Sequence, residues 1–99
     1  MAIVQFTRFK GGKPEEMIAS AKKAKVFWEK NGAEWFRMSR FHTGAMAGEW
    51  LISVRFPDWL AYGKAHEALS KDHEYQQILA GVMGKAELTG RNVAVGIDL

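Results

Sequence analysis

Trp59, Tyr62, His66, Leu69 and His73 follow one another at spacings of three, four, three and four. On a helix those intervals bring all five side chains into one narrow band. Two imidazoles in an otherwise apolar band are equipment for proton transfer, because histidine changes charge near neutral pH. His66 is the candidate general base, and His73, two turns further on, is a candidate substrate contact. A histidine at a helix–sheet boundary is more often a hydrogen-bonded filler, and both positions suit that role. A metal is not expected: His66 and His73 lack a third converging ligand, His42 is expected to be exposed at a strand end, and the chain has no cysteine. Gly11-Gly12, Gly81, Gly84 and Gly90 match no phosphate-loop spacing, and no serine stands in a nucleophile elbow.

The elements that must position this band fit into 99 residues. That length predicts a single domain over 1–99, which buries roughly 65% of the surface its unfolded chain exposes, a thin core that a partner subunit would reinforce. Fourteen basic and eleven acidic residues give a net charge of +3. They are interspersed, apart from Lys10, Lys13, Lys22, Lys23 and Lys25 on a loop and the outer side of a helix. No basic stripe with interleaved aromatics is present, so nucleic acid is not an expected partner. No apolar run approaches a membrane span, and Met1–Phe6 reads directly into a strand instead of a targeting segment. With no cysteine, a cytoplasmic location is the expectation.

Alternation over 3–9, closed by Gly11-Gly12, predicts the first strand. Pro14 with Glu15 and Glu16 opens a helix over about 14–31, since proline costs nothing in the first turn and carboxylates suit the positive end of the dipole. Met17, Ile18, Ala21, Ala24, Phe27 and Trp28 form its apolar stripe, and Asn31-Gly32 ends it. Residues 34–42 and 49–56 read as a hairpin around Thr43–Gly48. Pro57 and Asp58 then start a second helix at Trp59, with a kink expected near Ser70 and a further helical piece over 71–80. Three glycines in 81–91 predict an irregular return, and alternation at Val93, Val95 and Ile97 predicts the fourth strand.

Side chains alternate along a strand, so each strand divides into two sets. One is apolar throughout: Val4, Phe6, Phe36, Met38, Ile52, Val54, Phe56, Val93, Val95 and Ile97. The other holds Ile3, Gln5, Thr7, Phe9, Trp35, Arg37, Ser39, Phe41, Leu51, Ser53, Arg55, Ala94 and Gly96. Two helices cover only one face of a four-stranded sheet, so a second copy is expected on the other. Gln5, Thr7, Ser53 and Arg55 are costly to bury unpaired, and predict either a ligand pocket on their face or mutual hydrogen bonding.

The element order, the Asn31-Gly32-Ala33 step, and Phe56–Tyr62 followed by His66 and Asp72–Tyr75 resemble the dimeric α/β-barrel superfamily, near the antibiotic-biosynthesis-monooxygenase-like proteins. The resemblance spans nearly the whole chain. It implies an α+β, ferredoxin-like βαββαβ sandwich with a four-stranded antiparallel sheet, paired as a homodimer. Haem-degrading members use an asparagine, a tryptophan and a histidine where this chain has Thr7, Arg55 and His66, so only the histidine matches and haem degradation is not expected. What the resemblance does imply is a pocket in which Arg55 stabilises an anion and His66 is the base, with Trp50, Trp59 and Tyr62 as apolar walls and no bound cofactor. The expected ligand is small and hydrophobic or aromatic, of polyketide-like kind. The expected chemistry is cofactor-independent monooxygenation or proton transfer. The alternative is a non-catalytic dimeric module in which the helix band is packed solid.

Overall fold

The computed structural model describes residues 1–99 and contains four strands and three helices: β1 Ile3–Lys10, α1 Pro14–Lys30, β2 Trp35–Arg40, β3 Trp50–Phe56, α2 Trp59–Lys71, α3 His73–Met83 and β4 Glu87–Val95. The strands form one antiparallel sheet in the order β2-β3-β1-β4. The molecule measures 36 × 34 × 17 Å, and its thin dimension accommodates one sheet and one layer of helices. This is the ferredoxin-like α+β topology that the family resemblance implied.

Local chemistry accounts for the boundaries. Pro14 opens α1 with Glu15 and Glu16 in its first turn; at the other end Asn31 Nδ2 donates to the Phe27 carbonyl at 2.8 Å before Gly32 turns the chain at φ +106°. Asp58 caps α2 by accepting from Ala61 N–H at 2.8 Å. The helical break falls at Asp72, slightly beyond the expected site. Asp72 ends α2 and also accepts from Tyr75 N–H at 3.0 Å, so α3 starts at His73 and runs to Met83.

The fourth strand differs most from expectation. It starts at Glu87, six residues earlier than the alternation of valines indicates, and ends at Val95, leaving Ile97 outside it and 79% exposed. Gly90 is paired within the strand opposite Arg8, whose guanidinium lies where a Cβ at Gly90 would stand. A register shift between Arg8 and Phe9 then lets Leu88 and Glu87 continue the ladder. Glycine here makes room for an arginine and does not break the strand.

The division of faces must also be corrected. Directly opposed residues share a face. Ile3, Gln5, Thr7 and Phe9 oppose Phe56, Val54, Ile52 and Trp50, and all of these point toward the helices. Val4 and Phe6 oppose Arg55 and Ser53 on the bare face. Relative to β2, β3 and β4, β1 is therefore turned by one residue from the sequence-based sets, a slip that exchanges every side chain between faces. Two apolar clusters fill the helix side. The larger centres on Ile3, Trp28, Phe36, Val54, Phe56 and Leu69, and the smaller is Phe9, Met17 and Trp50.

Candidate functional site

Between the two clusters, under α1 and α3, lies a cavity of about 70 Å³. A water needs roughly 10–15 Å³ by this measure, so the space holds several. Thirteen of its 17 lining residues are hydrophobic, among them Phe9 and Met17 from one cluster and Trp28, Phe36 and Val54 from the other. Its polar lining is Gln5 and Thr7 on β1, Ser20 on α1 and Arg91 on β4. β1 is a central strand, and its alternation places Gln5 and Thr7 at 2% and 5% exposure on the helix side. Arg91 stands opposite Thr7 across the β1–β4 ladder, so the three form one polar strip on the cavity floor. Gln5 Oε1 is buried with no hydrogen-bond partner.

At the rim of the larger cluster, Trp28 Nε1 donates to the Tyr75 hydroxyl at 3.1 Å, and both residues line the cavity. Burial raises the Tyr75 phenol above its usual range, opposed by the Trp28 hydrogen bond and the charge of Arg91. His66 packs behind Trp28, with ring centroids 5.2 Å apart, and beside Tyr62 at 4.3 Å. Its Nε2 is buried and unpaired. Desolvation, then the positive charge of Arg91, lowers the His66 imidazolium below its usual pKa, leaving the ring neutral at pH 7. His66 contacts the cavity through Trp28 and is not itself one of its lining residues.

The expected partnership of Arg55 with His66 is not formed. Arg55 lies on the bare face, half-exposed, with its Nε 3.2 Å from Glu34 Oε1. The arginine on the histidine side is Arg91, which falls in the segment expected to be an irregular return. Alternation back from Val95 and Val93 to Arg91 carries the signal for its face.

The remaining candidates separate. Trp50 is buried in the smaller cluster, where its Nε1 donates to the Gly11 carbonyl at 3.0 Å and Arg40 stacks at 4.4 Å, but it does not line the cavity. Tyr62 is half-buried against Phe56 and His66. Trp59, 54% exposed, packs edge-on against Tyr62 and walls no enclosed space. His73 begins α3 beyond the Asp72 break and is exposed, 3.2 Å from Gln77 Nε2, so the five-residue band is not continuous. Trp28, Tyr75 and Arg91 are the site residues that the sequence reading passed over.

Similar solved structures share this architecture. A mutant of SnoaB, a cofactor-independent oxygenase from Streptomyces nogalater, superposes with a TM-score of 0.77 at 11% identity, covering 99% of this chain and 95% of that one. The chain has the ferredoxin-like fold. A dimeric ferredoxin-like protein from an uncultured marine organism matches at TM-score 0.70 and 14% identity, with 98% of each chain covered. A DABB-family protein with a ferredoxin-like fold from Mesorhizobium loti matches at 0.68 and 14%, covering 99% of this chain and 100% of that one. No protein-family model matches the chain, and no curated protein sequence matches it. No helix is long and apolar enough to cross a membrane.

Proposed function

We propose that the chain binds a small, mostly apolar molecule, aromatic or polyketide-like, in the cavity between its helices and its sheet. The observation that carries this reading is the confinement of polarity in an otherwise apolar cavity to the Gln5–Thr7–Arg91 strip with Ser20 opposite. Apolar walls with a few grouped polar atoms are the usual form of a small-molecule site. The unpaired Gln5 Oε1 adds to it, since a buried acceptor without a partner costs about 1–3 kcal/mol and a ligand donor would remove that cost. Calorimetric titration with 4-nitrobenzyl alcohol as a neutral aromatic probe tests the reading. Binding is expected, with loss in Ala24→Phe, which fills the cavity from α1. A wild-type protein that takes up no probe would overturn it.

A second reading adds catalysis. His66, with its buried and unpaired Nε2, is the candidate proton acceptor for an acidic phenol or enolisable ketone, and because Trp28 stands between its ring and the cavity, the step requires the Trp28 indole to move aside. The protein would then exchange the α-protons of 2-tetralone with deuterated solvent, and His66→Phe would abolish the exchange. Unchanged exchange in that variant would remove His66 from the reaction, and wild-type exchange no faster than in buffer alone would leave the non-catalytic module as the better account.

Two copies associate through their bare sheet faces. That face carries Val4, Phe6, Trp35 and Leu51 with no helix over them, and the dimeric ferredoxin-like protein of similar structure supports a pairing of this kind.

A further inference from the structure

The polar strip on the cavity floor differs from its surroundings in charge. Arg91 is the cation among the lining residues, which include no carboxylate. None of the four ion pairs in the molecule involves it: Lys25, Arg55, Lys71 and Lys85 pair with Glu29, Glu34, Glu67 and Glu16 respectively. Its charge nevertheless acts inward, disfavouring the His66 imidazolium and favouring ionisation of the Tyr75 phenol. Opposite it stands the Thr7 hydroxyl, with Gln5 two residues along the same strand on the same face. The guanidinium offers five N–H donors and no acceptor, and the hydroxyl and the amide NH₂ add donors beside it. A donor-rich, positively charged strip within apolar walls matches a ligand with a negative head and a hydrocarbon body.

Resting on the proposed binding role of the cavity, we infer that Arg91 selects its ligand, which is an apolar ring or chain carrying an anionic head, a carboxylate or an ionised phenol. The head lies against Arg91 and Thr7, and the body against Trp28, Met38 and Leu79. Arg91 is on an edge strand and exposed, so an anion enters from solvent and meets the guanidinium before it is fully desolvated.

Three probes sharing one ring test this by calorimetry at pH 7 and low salt: 4-nitrobenzoate, 4-nitrophenol, which ionises near neutrality, and neutral 4-nitrobenzyl alcohol. The wild-type protein is expected to bind 4-nitrobenzoate, or 4-nitrophenol as pH rises through that probe's own ionisation, at least fivefold more tightly than the alcohol. The anion that shows the preference identifies the head group, and the preference shrinks as salt is added. In Arg91→Gln the ratio of anion to alcohol affinity falls toward one while thermal unfolding stays as in wild type, and Arg91→Lys retains part of the preference. Equal binding of anion and alcohol, or an undiminished preference in Arg91→Gln, overturns the inference and leaves the cavity-binding reading standing. Failure of all three probes to bind overturns both.

Discussion

Trp28 Nε1 and the Tyr75 hydroxyl are joined at 3.1 Å, with their rings nearly perpendicular at 88°, and this bond ties α1 to α3 across the mouth of the larger core cluster. Trp28 is 6% exposed and Tyr75 9%, so both groups are largely withdrawn from bulk solvent. Tyr75→Phe keeps the ring and removes the acceptor, leaving an indole N–H buried and unpaired. The expected loss is about 1–3 kcal/mol in urea unfolding, the cost of such a group. A change within experimental error would mean that the indole finds another acceptor.

Gln5 predicts the opposite sign. Its Oε1 is buried without a partner, on a strand central to the sheet and opposite Val54 in the ladder. Gln5→Met preserves length and removes the unpaired acceptor, so the ligand-free protein should gain about 1 kcal/mol of stability. The same variant should bind the cavity probes less well, which places Gln5 among residues whose function costs stability. A destabilised Gln5→Met protein would contradict this account of the carbonyl.

His66 makes stability depend on pH. Its folded pKa lies below the unfolded value of about 6.5, because burial and then the charge of Arg91 oppose protonation. The unfolded chain therefore takes up the proton first. Stability from this group is fully present above pH 6.5 and is lost as pH falls toward the folded pKa. His66→Phe should flatten the fall in unfolding free energy over that window, measured by denaturant titration at several pH values. A wild-type-like slope in the variant would assign the dependence to other groups.

The bare face of the sheet predicts the oligomeric state. Light scattering at micromolar concentration should report about twice the 11.1 kDa chain mass. Leu51→Glu, placing a carboxylate on that face, should yield monomers or aggregates while the helix-side core is untouched. A wild-type monomer, or an undisturbed Leu51→Glu dimer, would rule out pairing through this face.

What the sequence determined by itself is local. Pro14, Asp58, Asp72 and Asn31-Gly32 act on the backbone within one turn of themselves, and the apolar stripe of α1 repeats at helical spacing, so element order, the helix break and the fold class were legible without contacts. The site was only half legible. Gln5 and Thr7 were recognised as polar groups too costly to bury unpaired, and His66 as the candidate base, although the cation that acts on it is Arg91 and not Arg55. That exchange was decided by pairing: alternation divides a strand into two sets, but only the register against β3 and β4 says which set meets the helices. β1 carries apolar side chains in both its sets, so its own pattern is silent on the choice. β4 was obscured by Gly90, whose role depends on the side chain of Arg8, 82 positions earlier in the chain. Contacts between residues far apart in sequence leave no local period to read, and the cavity is made of such contacts.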